Sequence, residues 1–190
     1  GVPAAFNLGV EYLESKGVDY FGVLGEDDQL LPNSTINLLK AFKDETVQAA
    51  VGQIWYINNK GEIVFHNRAF PSLLPILHLI PNVIPHPGSL CRISVWKLVG
   101  GFDQKYKFAS DLDFWLKIRK HGKIARVECP MSFFGFTDQG NTAKYRKESI
   151  LEGREVRLKY SPTLLRPIQV FLDHALTFVG EKVIQRNNKA

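Results

Sequence analysis

Segments of helical period alternate with short apolar runs along this chain, and glycine or proline stands at most of the junctions. A chain patterned this way buries both kinds of element most simply as a sheet with helices against it, so the expected class is α/β with some antiparallel pairing. Residues 4–15 read as a helix with Ala5, Leu8, Gly9, Tyr12 and Leu13 on one face and Gly17 as its C-cap. Residues 19–24 read as a short buried strand. Pro32 opens a second helix, with Ile36, Leu39, Ala41 and Phe42 inward. Residues 47–57 form a strand, 58–61 (NNKG) a turn, and 62–65 the returning hairpin strand. Residues 66–85 are apolar and proline-rich and read as a loop packed over something. A strand at 89–93 and a short helix at 95–99, ended by Gly100 and Gly101, come next. The clearest helix spans 110–121, with Ser110 as N-cap, Asp113 at the capping-box position and Gly122 closing it. Residues 123–128 form a strand that Pro130 ends. The chain has no internal repeat.

With 190 residues, 45% hydrophobic and 23% charged, the composition fits one globular domain and excludes disordered or fibrous chains. Cys91 and Cys129 have neither metal-site spacing nor a disulfide framework, and read as reduced core thiols in a reducing compartment. A net charge of +5 suits anionic ligands, an anionic membrane or nucleic acid. No basic stripe with interleaved aromatics supports nucleic acid. Residues 71–85 are too short and proline-broken to cross a membrane, and charges interrupt 164–184. The first residue is Gly1 rather than Met, as expected of an excised or processed piece.

Two acidic sites carry the chemistry. Glu26, Asp27 and Asp28 follow the first strand directly. Three adjacent carboxylates repel one another, and water or a cation must offset that. Hard divalent cations take carboxylate oxygens and share their shell with substrate phosphates; the alternative is a solvated turn that favours the next helix N-terminus. At the second site, Asp111 and Asp113 sit in the first turn of the clearest helix, where the helix dipole stabilises both. Asp113 is set to pair with Lys117 at the surface. Asp111 shares its face with Phe114, Trp115 and Ile118, and a carboxylate turned toward apolar groups is paired, partly desolvated or lining a cleft. Partial desolvation moves a carboxylate toward the range of a general base.

Taken in order, these pieces resemble a family-2 glycosyltransferase of the GT-A fold. The resemblance runs from Gly1 to about Thr142. GVPAAFNLG at 1–9 is similar to the helix before the family's metal-site strand, and FGVLGEDD at 21–28 to that strand and its DxD-type motif, with Leu31 and Pro32 following. VGGFD at 99–103 and ASDLD at 109–113 are similar to the late hallmark that supplies the base. The resemblance implies Asp27 as the ligand of Mn2+ or Mg2+, with Asp28 beside it, and Asp111 as the catalytic base. Asn7, Glu26, Asp28 and His86 are the implied substrate-binding residues. The first DxD acid is replaced by Gly25, and Glu26 holds the variable middle position. Ser110 stands where a Glu commonly precedes the base. Residues 137–142 resemble the loop that closes the active site, without its frequent histidine.

The family's first, nucleotide-binding strands would precede Gly1. The expected fold is therefore a partial GT-A fold, with residues 1–145 the catalytic, acceptor-side part and 146–190 a helical extension. The implied reaction is inverting transfer from a nucleotide-diphosphate sugar to a hydroxyl of a saccharide or lipid-linked acceptor, in cell-surface polysaccharide or glycolipid synthesis. A truncated, non-catalytic module serving as a scaffold or binding partner is the alternative. Leu164, Ile168, Phe171, Leu172, Ala175, Phe178 and Val179 recur at helical spacing, with Lys182, Arg186 and Lys189 after them. This suits either a helix lying on the inner face of the membrane, in the cytoplasm, or one packed on the domain or on another subunit of a homo-oligomer.

Overall fold

The strand expected at 47–57 is the centre of the molecule. A computed structural model of the chain describes residues 1–70, 76, 84–135 and 144–172. The elements are α1 (Val2–Ser15), β1 (Tyr20–Phe21), β2 (Gln29–Leu30), α2 (Ser34–Leu39), a 3-10 turn (Lys40–Lys43), β3 (Val47–Ile57), β4 (Ile63–Asn67), β5 (Ser89–Arg92), α3 (Ile93–Val99), α4 (Ser110–Ile118), β6 (Lys123–Gly135) and α5 (Arg146–Tyr160). They build one mixed sheet flanked by helices, in the order β1-β5-β3-β6-β2, with β4 also on β3. The β3–β6 pair is parallel, and the β1–β5, β3–β5, β3–β4 and β2–β6 pairs are antiparallel. This is consistent with a partial GT-A-like architecture. Most of the 66–85 loop, the 137–142 loop and the end of the C-terminal helix lie outside the described residues.

Apolar groups cover both faces of the sheet. Ala49, Val51 and Cys91 join Phe21 and the α4 side chains in one core, while Ala50 and Leu90 join Leu38, Phe42 and Met131 in another. A strand buried on both faces reads as a near-continuous apolar run rather than an alternating one, as β3 does from Ala49 to Val51. Helix α4 is enclosed too: Leu112, Phe114, Trp115, Leu116 and Ile118 are all buried. Each such side chain contributes about 1.5–3 kcal/mol through the surface it withdraws from water.

Several expectations need correction. Helix α1 is rotated from its predicted face. Leu8 and Tyr12 are exposed, and Pro3, Phe6, Val10 and Leu13 pack inward. The rotation is set by the Phe6 ring against Phe102 and by the Asn7 amide on the Phe102 backbone. In α2, Leu38 rather than Ile36 or Leu39 is buried, although Phe42 is inward as expected. Pro130 does not end β6. The β3–β6 register jumps from Val51↔Arg126 to Gln53↔Pro130, so a bulge absorbs the residue that lacks an N–H. The N-cap of α4 is Ala109, with no side-chain cap bond, so Ser110 and Asp113 do not form a capping box. Asp113 is not at the surface either. It is fully buried and ion-paired to Lys117 at 2.9 Å and Lys159 at 2.8 Å.

Candidate active site

Strands β1 and β2 occupy opposite ends of the strand order, so the chain between them crosses the carboxyl ends of the parallel strands. Ligands of open α/β sheets bind at that edge. Residues 25–28 make a tight turn there. The Asp28 N–H donates to the Gly25 carbonyl at 3.2 Å, and the Gly25 N–H donates to Asp28 Oδ2 at 3.0 Å. The pairing of Gln29 with Phe133 then lays the turn along the end of β6, where the Gly135 N–H donates to Asp28 Oδ1 at 3.3 Å.

Two glycines make this arrangement possible. A Cβ at Gly135 would lie 2.7 Å from the Asp27 carbonyl oxygen and 3.2 Å from Asp27 Oδ2. One at Gly25 would lie 2.8 Å from Asp28 Oδ2 and 3.1 Å from Asp27 Oδ1. The missing first acid of the DxD-type pattern thus has a local cause: the turn folds its two aspartates over that position.

Glu26 and Asp27 are exposed and Asp28 is half-buried. Burial pushes the Asp28 carboxyl above its usual range, and the neighbouring charge of Asp27 adds to this, while the Gly25 and Gly135 amides act against it. A partly desolvated carboxylate beside a second one gains from a nearby cation. Among the described residues no group of three or more His, Cys, Asp or Glu side chains is arranged to hold a metal ion. Asp27 and Asp28 together offer two carboxylates, a donor set that suits an ion sharing its shell with phosphate oxygens and water.

Tyr56, near the end of β3, links this turn to the second acidic site. Its phenol is pushed above the usual tyrosine range, first by burial; a hydrogen bond with the Asn67 side chain opposes this, and the charges of Asp28 and Asp111 add to it. Asp111 is half-buried in the first turn of α4, and its Oδ1 accepts from the Leu112 N–H at 2.7 Å.

His86 and Asn7 stand together in another part of the core. The His86 ring stacks on Phe6 at 6.0 Å and meets Phe102 at 5.4 Å and Trp115 at 5.3 Å. Burial pushes its pKa down to about 4, so the imidazole is neutral at physiological pH. Neither ring nitrogen has a hydrogen-bond partner among the described residues. Asn7 donates to the Phe102 carbonyl at 2.8 Å and accepts from the Phe102 N–H at 2.9 Å and from Trp96 Nε1 at 3.2 Å. Its amide is engaged in holding the backbone turn at Gly101 and Phe102.

Sequence reasoning missed three participants. Tyr56 and Gly135 carry no motif of their own. Glu152, on α5, accepts hydrogen bonds from the Lys107, Phe108 and Ala109 amides at 3.1, 2.6 and 3.2 Å, across more than forty positions.

No protein-family model matches the chain. Two curated proteins of Pasteurella multocida, a chondroitin synthase (strain Pm70) and a hyaluronan synthase, are each 31% identical to it over 128 residues. That region is 67% of this chain and 13% of each relative, so the chain matches only a small part of those proteins. The similarity supports distant homology to family-2 glycosyltransferases without singling out a member.

Proposed function

We propose that this chain carries the acceptor-side catalytic part, residues 1–145, of an inverting glycosyltransferase that uses a nucleotide-diphosphate sugar. The observation that carries the assignment is the seating of the 25–28 turn at the carboxyl end of β6, with Asp28 bonded to the Gly135 N–H, in a chain distantly homologous to such enzymes. Asp111 takes the proton from an acceptor hydroxyl as that oxygen bonds to the anomeric carbon. The bond from that carbon to the diphosphate oxygen breaks on the opposite face, and its electron pair leaves with the nucleoside diphosphate. Asp27, with Asp28 beside it, would hold Mn2+ or Mg2+. When bound, the ion offsets the charge that grows on the departing diphosphate.

Glu26, exposed on the same turn, faces the donor side. His86, buried among Phe6, Phe102 and Trp115, serves the acceptor side through the rings packed on it rather than by touching a sugar. Asn7 acts indirectly, by fixing the Phe102 backbone beneath the His86 ring. The acceptor is a saccharide or a lipid-linked saccharide. Leu164, Ile168 and Phe171 are exposed, which supports a peripheral contact with the inner face of a membrane from the cytoplasm. No helix among the described residues is long and apolar enough to cross one.

The test is a transfer assay on the full-length protein with a panel of nucleotide sugars and manganese. Asp111→Asn is expected to lower kcat about 10³-fold with donor binding intact. Near-normal turnover in that variant would remove Asp111 as the base. Manganese-dependent donor binding that survives Asp27→Ala would remove the metal role. A second function, as a non-catalytic binding module, is favoured by Gly25 standing where the DxD-type motif has its first acid. Saccharide binding without turnover, in wild type and Asp111→Asn alike, would select it.

A further inference from the structure

Building on the assignment of Asp111 as base, we infer that Glu152 is a positioning residue for that carboxylate, supplied by a helix the sequence sets apart as an extension. The first amides of a helix have no partner within it and must find one elsewhere. In a capping box, a side chain one turn into the same helix reaches back to the N-cap amide. Here that service comes from another helix. Glu152 Oε2 accepts from Phe108 and from the N-cap residue Ala109, and Oε1 accepts from Lys107. One carboxylate fixes the backbone just before α4, two residues ahead of Asp111.

The same helix also grips the far side of Asp111. Lys159 Nζ and the Tyr160 hydroxyl both donate to Asp113 Oδ1 at 2.8 Å. Tyr145 stacks on Phe108 at 5.1 Å, and Glu155 pairs with Lys105. Asp111 is thus held between two anchor points that a single helix, α5, provides.

This arrangement has a chemical consequence beyond rigidity. Amides at a helix entrance attract any carboxylate nearby, including one in the first turn. Glu152 occupies the donors at 107–109, so they do not compete for Asp111, and its negative charge opposes the field of the helix N-terminus. Both effects keep Asp111 a better proton acceptor. Removing the charge while keeping the shape should bind the Asp111 carboxylate to the helix entrance and weaken it as a base.

The experiment is Glu152→Gln in the full-length protein, chosen because glutamine keeps the side-chain length and one acceptor oxygen. Expected are a kcat lowered about tenfold, KM for donor and acceptor within twofold of wild type, and an acid limb of the kcat profile displaced to lower pH. A purely structural role would lower the melting temperature but leave kcat per folded molecule and the acid limb unchanged; that result overturns the inference. The double variant Asp111→Asn/Glu152→Gln should be no slower than Asp111→Asn alone, because Glu152 acts through Asp111; a further tenfold loss also overturns it. Hydrogen exchange at the Leu112 amide, which donates to Asp111, gives a reading independent of turnover: at least tenfold faster exchange in Glu152→Gln is expected, and unchanged exchange counts against the inference. Failure of the base assignment looks different, since Asp111→Asn would then turn over normally.

Discussion

The turn at 25–28 and the first turn of α4 each hold a pair of aspartates, and burial meets a different answer in each. Asp28 is pushed up by burial, with Asp27 adding to it and only two backbone amides opposing it. Asp113 is also pushed up by burial, but Lys159, Lys117 and Tyr160 outweigh this and hold it below its usual range. One carboxylate is left electrostatically uncomfortable, and the other is compensated at every oxygen. A carboxylate left uncompensated gains from an added cation, whereas full compensation is what a joint between helices needs.

Asp113→Asn provides the strongest challenge to this contrast. It leaves two ammonium groups facing a neutral amide, and the cost is expected to be about 3 kcal/mol in denaturant unfolding at pH 7. The pH dependence follows from the lowered pKa. The ionised form is preferred by the folded state, so this contribution is present above the ordinary value of 3.8 and is lost as pH falls below it. The gap between wild type and Asp113→Asn should therefore shrink on acidification through that range; a gap that stays constant would mean that packing, not charge, sets the cost.

Asp28→Asn is expected to act more weakly. A raised pKa means that ionisation costs the folded state stability, while the amide keeps only one of the two oxygens that accept from Gly25 and Gly135; the two effects offset, so stability at pH 7 should change little while manganese-dependent donor binding weakens. A loss above about 1 kcal/mol would make the turn a structural joint like its counterpart.

The sequence carried the local parts of this molecule well. The apolar run of β3 and the Asn58–Gly61 turn chemistry are short-range signals, and each is where the residues indicated. What periodicity could not supply was rotation and partnership. The inward face of α1 depends on Phe6 meeting Phe102, some hundred residues away. Asp113 looked like a surface residue because its local partner, Lys117, suits one; its burial depends on α5, which contributes Lys159 and Tyr160. Pro130 read as a terminator because the bulge that accommodates it exists only against β3. The Gly25 departure is explained only by carboxylates folding back over it.

Tyr56 gives the 25–28 turn its own indicator. A phenol that two carboxylates make harder to ionise becomes easier to ionise when a cation screens either one. Manganese bound at the 25–28 turn should thus lower the pH at which Tyr56 forms tyrosinate, seen as the part of the ultraviolet difference titration that Tyr56→Phe removes. Occupancy of the turn could then be followed before any donor, acceptor or product is known, and an unmoved titration would mean that the ion binds elsewhere.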